Sequence, residues 1–424
     1  MANKHMPYDL AQMQSLPLVA KRRMSKERIR VWYESWKKYT IFDTKTKKTR
    51  FVTWTEEPTE EGFYVKKKKK GIEVDVLVPG TKLKTTEYIK TVEDGQVYVS
   101  LSGGKDSTVL ADLCAQVCKE NGWILYLLFV NTGLEYPEIQ KFVKIFAKWL
   151  RKTYSIEVVL EIVRPEMRFD EVLKKYGYPV ISKEVSQTIY EAKKNYVAGK
   201  YSYRIKKLNG ELVDKNGKAS TYNIPQWKFL LDAQFDSSHM CCDVMKKKPA
   251  KKYEKATGRR AIIGTMANES RLRKSNWVRF GCNGFNMKRP TSQPLSFWTD
   301  QDILHYYKEY NVPYCSVYGD IVIDEKVDGE NILEGQINLI DYLGCHEEGD
   351  KLKTTGCDRT GCIFCMFGCH LEKEPNRFQR LKETHPRQYE YCIGGGEYNE
   401  EGKWQPSKEG LGLAKVLDYI GVKY

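Results

Sequence analysis

The chain has 424 residues, with 70 Lys and Arg against 55 Asp and Glu, a formal charge of +15, and 41% hydrophobic content. These proportions describe an ordered, basic, soluble protein and exclude a disordered one. The length predicts two or three domains, at least one with a substantial buried core. The longest uninterrupted apolar run, residues 123–130, spans 8 residues, whereas about 20 are needed to cross a bilayer.

The apolar stretch 16–20 is too short for a signal-peptide core, and Lys21, Arg22 and Arg23 follow it rather than precede it. A cytoplasmic location is therefore expected. The 12 cysteines are too dilute for a disulfide scaffold, and in a reducing compartment clustered thiols bind metal or do chemistry. Cys114 and Cys118, spaced i and i+4 on a predicted helix, read as small apolar side chains. The other ten all lie after residue 240.

In chain order, residues 1–95 read as an N-terminal α+β appendage. A basic amphipathic helix over 25–39 is followed by alternating segments at 50–54, 62–70 and 71–78 that suggest hairpins. The five adjacent lysines Lys66, Lys67, Lys68, Lys69 and Lys70 form either a solvated face or a contact for a phosphate backbone. From residue 96 strands alternate with helices: strand 97–101, helix 107–119, strand 123–130, helix 136–152 and strand 156–163. Strands apolar on both faces between amphipathic helices predict a doubly wound parallel sheet, an α/β domain over 96–320 that binds ligands at the carboxyl ends of its strands.

A basic, Tyr-rich connection over about 190–227 reads as an insertion of no legible function. Residues 261–264 are expected as a late strand, and 296–310 as a helix capped by Thr299 with Asp300 and Asp302 in its first turn. Residues 321–424 form a Cys-rich, metal-binding C-terminal region with a Gly-rich loop at 394–396 and a final helix over 410–420. No internal repeat is present.

The strongest local signal is Ser102-Gly103-Gly104-Lys105-Asp106-Ser107 between strand and helix. The glycines let backbone approach an anion, the helix start offers unpaired N–H groups, and Ser102, Lys105 and Ser107 add donors and charge. A di- or triphosphate suits this geometry. The spacing is not that of a Walker loop.

This six-residue run resembles the PP-loop signature of the adenine nucleotide alpha-hydrolase superfamily. The resemblance implies that the loop grips the pyrophosphate of ATP, with Lys105 and Asp106 catalytic, and that ATP brings Mg²⁺. Residues 129–138, containing Asn131-Thr132-Gly133, resemble the second-strand turn of the phosphoadenosine phosphosulfate reductase family, although Asn131 stands where Asp is usual. Residues 179–184 with Lys183, the Cys241-Cys242 pair with Lys248-Pro249, and Gly264-Thr265 leading to residues 269–273 also resemble that family. The resemblance covers about 96–313. It implies nucleotide contacts from Asn131, Thr132, Gly133, Lys183 and Gly264. Arg271 and Arg273 suit a phosphate or sulfate, because a guanidinium fork matches such oxyanions, or else form a surface salt-bridge pair.

Cys357, Cys362, Cys365 and Cys369 fall within thirteen residues. A thiolate array selects zinc or iron–sulfur. The local four, with His370 as a substitute, suit zinc. The resemblance to assimilatory adenosine phosphosulfate reductases implies instead a four-iron four-sulfur cluster on Cys241, Cys242, Cys362 and Cys365. Cys282 is then a replacement for one of the pair, and Cys357 and Cys369 are secondary.

Reductases of this family attack with a cysteine in a Glu-Cys-Gly-Leu-His segment. Residues 368–372 hold similar residue types in another order, and Cys392 lies in no such motif. Sulfur transfer after ATP-dependent activation is therefore expected ahead of sulfonucleotide reduction. Residues 245–260 carry six Lys and two Arg against one Glu, either a solvated helix face or a nucleic-acid contact. The combination resembles DNA phosphorothioation sulfurtransferases more than tRNA thiolation enzymes, and implies a nucleic-acid partner and a sulfur-donor protein, with no membrane. The alternatives are an adenylyl sulfate or phosphoadenylyl sulfate reductase and, from another class, a nucleotide-gated nucleic-acid-binding module with structural zinc.

Overall fold

A computed structural model describes residues 5–36, 96–324 and 351–424, together with the backbone of five strands between residues 38 and 92. Helices α1 (Pro7–Gln14) and α2 (Leu18–Glu34) open the chain. The strands β1 (Lys38–Asp43), β2 (Lys48–Thr53), β3 (Gly62–Lys69), β4 (Ile72–Pro79) and β5 (Glu87–Val92) follow. β1 pairs antiparallel with β2 and with β5, and β3 with β4. The side chains of 38–95, including the lysines of 66–70, lie outside the described residues.

Next come β6 (Val97–Ser100), α3 (Lys105–Asn121), β7 (Leu125–Val130), α4 (Pro137–Tyr154) and β8 (Val158–Val163), then α5 (Phe169–Tyr176), α6 (Lys183–Val197) and α7 (Tyr203–Asn209). The chain continues through α8 (Lys248–Thr257), β9 (Arg260–Ile263), α9 (Arg271–Phe280), β10 (Asn283–Gly284), β11 (Thr291–Ser292), α10 (Asp300–Tyr310), β12 (Ile321–Ile323) and β13 (Leu352–Thr354). It closes with α11 (Arg377–Thr384), α12 (Pro386–Ile393), β14 (Glu397–Tyr398), β15 (Trp404–Gln405) and α13 (Leu413–Tyr419).

Packing gathers the chain into two units. One takes residues 1–129, 137–162 and 253–359, the other 130–136, 163–252 and 360–424. The segments 1–95, 96–320 and 321–424 are drawn along the chain, whereas each unit takes residues from more than one of them.

In the first unit six strands form a sheet in the order β10–β11–β9–β6–β7–β8. β6 is parallel to β7 and β9, and β9 to β11, while β10 pairs antiparallel with β11. The chain thus steps outward from β6 through β7 to β8 and returns on the other side of β6 as β9. The crevice between the carboxyl ends of β6 and β9 is the point where strand order reverses, which is where such sheets bind ligands. Val97, Val99, Leu125, Leu127 and Ile262 are buried along these strands, each contributing roughly 1.5–3 kcal/mol. Thr299 caps α10 as expected, accepting the Asp302 N–H at 3.2 Å.

α2 departs from the helix expected at 25–39. It starts at Leu18, and the chain has entered β1 by Lys38. Its buried face is Lys21, Ser25, Ile29, Trp32 and Tyr33, so its first two buried positions are polar and carry no apolar signal. Lys21 Nζ donates to Asp302 at 2.8 Å, and Ser25 Oγ donates to the Pro294 carbonyl at 2.9 Å and accepts from Trp298 Nε1 at 2.9 Å. This helix is therefore built into the sheet-bearing unit rather than appended to it.

The second unit has its own core, drawn from α5, α6, α7, α11, α12 and α13 and including Val172, Ile189, Leu208, Phe235, Phe378 and Leu417. Among the described residues no helix is long and apolar enough to cross a membrane.

Candidate functional site

In the first unit, residues 102–107 bridge the end of β6 to the start of α3. Gly103 has φ +76°, and a Cβ there would stand 2.8 Å from Ile139 Cγ2 and 3.0 Å from Val143 Cγ2 on α4. Glycine is required on both counts. The loop is stitched internally: the Ser102 N–H donates to Ser107 Oγ at 3.1 Å, the two hydroxyls lie 2.9 Å apart, and Ser107 Oγ donates to the Gly104 carbonyl at 2.9 Å. Two tyrosines brace the helix start. Tyr318 Oη accepts the Lys105 N–H at 3.1 Å, and Tyr307 Oη donates to the Lys105 carbonyl at 2.8 Å. Gly264, just past β9, lies so close that a Cβ would stand 2.9 Å from the Asp106 carbonyl oxygen. Its absent side chain is what lets the two strand ends meet at the switch point.

The electrostatics of this loop are mixed in sign. Burial pushes the Asp106 carboxyl up to about 6; Glu269 and Asp300 push the same way, and Lys105 and Arg359 oppose them. Its Oδ1 is buried with no hydrogen-bond partner among the described residues. Burial also pulls the Lys105 ammonium below its usual range, against Asp106, Asp300 and Asp358. Arg359 stands 3.5 Å from both Glu269 and Asp300. Arg273 is ion-paired with Glu269, while Arg271, the first residue of α9, is exposed. Arg273 thus has a carboxylate partner in the structure, and its guanidinium meets an oxyanion only by sharing or leaving Glu269.

The second unit gathers the thiols. Cys241 and Cys242 end one short helical turn, and a single π turn, Asp243–Lys247, follows, a widened turn that is frequent at functional sites. Cys241 Sγ donates to Cys242 Sγ at 3.9 Å. That bond draws the Cys242 thiol down to about 6; burial opposes it, and Lys183 and Lys246 assist. The same bond, with burial, pushes Cys241 far up, and Cys365 and Cys362 add to the effect. Burial lifts Cys362 to about 11 against the pull of Lys246, and it also raises Cys365. Lys246 is half-buried beside them: burial would lower its ammonium, but Cys362, Glu135 and Cys242 hold it up.

Two backbone bonds hold this constellation. The Ile363 N–H donates to the Leu134 carbonyl at 2.8 Å, and the Gly368 N–H to the Ile181 carbonyl at 2.8 Å. Ile181 has φ +61°, costly for a β-branched residue, and it leads directly into the Ser182 cap and Lys183. The turn before Leu134 is closed by its own side chains. Thr132 Oγ1 donates to Glu135 Oε1 at 2.6 Å, and the Gly133 N–H donates to Asn131 Oδ1 at 3.0 Å.

The profile of the phosphoadenosine phosphosulfate reductase domain matches residues 96–197 and 183–366, well over half of the chain. The chain belongs to this family. No curated protein matches it. Membership makes the protein a nucleotide-using enzyme of the PP-loop and sulfonucleotide class, and its mostly parallel sheet is the family's α/β architecture.

Within the phosphosulfate reductase domain, Ser102, Gly103, Gly104, Lys105, Asp106, Ser107 and Gly264 come together in the first unit. Lys183 instead lies with Cys241, Cys242, Cys362 and Cys365 in the second, facing a sulfur. Cys369 is buried near Cys365 and donates to the Met366 carbonyl at 3.0 Å. Cys282 and Cys357 belong to the first unit. Burial raises the Cys282 thiol against the opposing pull of Trp277, Arg28 and Ser296, and Cys357 influences Cys315. The close run of four thiols is therefore divided between the units. Among the described residues no three Cys, His, Asp or Glu side chains stand at metal-holding geometry. The donor chemistry of the Cys241, Cys242, Cys362 and Cys365 set, four soft sulfurs within one another's field, nevertheless fits a thiolate-held centre.

Along α8 the basic stretch 245–260 presents one exposed face, Lys248, Lys251, Lys252 and Lys255 at i, i+3, i+4 and i+7, while other members turn elsewhere or find partners. Lys246 points to the thiols, Lys252 pairs with Glu166 at 2.9 Å, and Arg259 lies 3.2 Å over the Tyr126 ring. Lys246 and Arg359 are absent from the sequence reading. Lys246 was open to detection, because it lies four residues after Cys242 and so shares its helical side.

Proposed function

We propose that the protein is an ATP-dependent sulfurtransferase that works in the cytoplasm and activates nucleic acid, DNA ahead of tRNA. The observation that carries this reading is the loop 102–107 closed against Gly264 at the reversal of strand order. The N–H groups at the start of α3 and the Lys105 ammonium hold the leaving pyrophosphate. A substrate oxygen attacks the α-phosphorus, the bond to the β-phosphate oxygen breaks, and pyrophosphate departs. Sulfur at the sulfide level, brought by a donor protein, then displaces the adenylated oxygen, which leaves with AMP. The unpaired Asp106 Oδ1 suits the Mg²⁺ that accompanies ATP.

Cys241, Cys242, Cys362 and Cys365 would hold a four-iron four-sulfur cluster, which supplies a site to carry or orient sulfur. Lys246 and Lys183 balance the negative charge of their thiolates. Sulfonucleotide reduction is the weaker reading, because it needs a mobile thiol and Cys392 is fully buried in α12. Pyrophosphate release from ATP, measured with and without nucleic acid, tests the proposal. It should be abolished in Lys105→Ala and Asp106→Ala; turnover unchanged in both contradicts the assignment, as does sulfite release from adenylyl sulfate with a thiol and no ATP.

A further inference from the structure

The connection between α6 and the turn at 225–231 plays no part in the chemistry above, yet it carries nine Lys and Arg against three Asp and Glu between residues 190 and 231. Part of that charge is structural: Lys207 is buried against Glu184, Arg204 pairs with Glu191 at 2.7 Å, and Lys193 lies 3.7 Å from Asp236. The rest is at the surface. At the corner where α6 turns into α7, Tyr196, Tyr201 and Tyr203 are 56%, 59% and 54% exposed, three large aromatic residues left at the surface together. Lys200 lies between them, and it and Lys206 and Lys228 are exposed. The Lys206 ammonium stands 5.9 Å from the Tyr201 ring centre. Tyr201 donates its hydroxyl to Glu211, which Lys206 and Lys228 also face, and Tyr196 is near enough to influence Tyr201.

We infer that this corner is a docking surface for single-stranded nucleic acid, its tyrosines stacking on unpaired bases and its lysines facing the phosphates. Exposed aromatic side chains interleaved with exposed cations are the combination that single strands use, since every base has a π face and every linkage a negative charge. A solvated lysine face needs no exposed tyrosines, and an apolar protein partner gains little from Lys200, Lys206 and Lys228. The inference rests on the nucleic-acid half of the proposed function and gives that substrate a place to bind apart from the nucleotide loop.

Fluorescence anisotropy of a labelled single-stranded oligonucleotide, titrated with the full chain at several salt concentrations, tests it. The triple variant Tyr196→Leu, Tyr201→Leu, Tyr203→Leu should bind on the order of tenfold or more weakly, and the corresponding Phe triple should bind like the wild type. Lys200→Gln, Lys206→Gln and Lys228→Gln should each lower the salt slope by about one. Thermal melts should be unchanged in all of them, and pyrophosphate release without nucleic acid likewise. If the wild type binds and the Leu triple binds equally, this surface is wrong and the nucleic-acid reading stands. If the wild type does not bind, both fall, and the face is left to a protein partner.

Discussion

Because Asp106 is buried, with one oxygen unpaired and Glu269 and Asp300 nearby, its carboxyl holds a proton up to about pH 6, against an ordinary value of 3.8. The folded protein therefore keeps a proton that the unfolded chain has already lost. The stabilisation from that proton is complete below about pH 4 and disappears as pH rises through about 6. Asp106→Asn should remove this dependence and stabilise the nucleotide-free protein at about pH 8 by on the order of 1–3 kcal/mol. Thermal melts between about pH 4 and 8 check this, and parallel curves for variant and wild type would contradict it.

The thiols give a second prediction at the same scale. Protein purified without oxygen should show broad visible charge-transfer absorbance and contain iron, and Cys242→Ser and Cys362→Ser should each abolish both. A colourless, zinc-containing protein would refute the cluster. Sequence alone made the cysteines legible through their spacing. It could not divide them, because Cys357 and Cys362 are five residues apart yet belong to different units.

Elements were legible where local signals agreed. The run from β6 through the glycine loop to α3 could be read because an apolar strand, a glycine pair and a helix start follow one another directly. α2 was misplaced because its fold-determining contacts are polar and distant. Lys21 reaches Asp302 and Ser25 reaches Pro294, more than 250 residues away. Within the basic stretch at 245–260, Lys248, Lys251, Lys252 and Lys255 line one exposed face of α8, whereas the π turn before it sets Lys246 beside the thiols. If α2 belongs to the sheet-bearing unit, Trp32→Ala, a fully buried ring, should destabilise the whole protein by about 3–5 kcal/mol. Denaturant unfolding measures this. A loss under about 1 kcal/mol would mean that the helix is an appendage after all.

The molecule as a whole gathers into two units, each woven from segments that are separate along the chain. Composition and charge carry no information about such weaving, which arises from contacts between residues distant in sequence. What the strand–helix alternation and the glycine motif did predict, an α/β sheet with a glycine loop at a strand end, is the part that depends on local order. Function follows from the same place, since strand reversal brings the loop and Gly264 together in one crevice. Calorimetric titration of the wild type and of Lys105→Ala with ATP tests this most directly. The wild type should release binding heat that saturates at one nucleotide per chain, and the variant should give none; equal heats from both, or no heat from either, would contradict nucleotide binding at this loop.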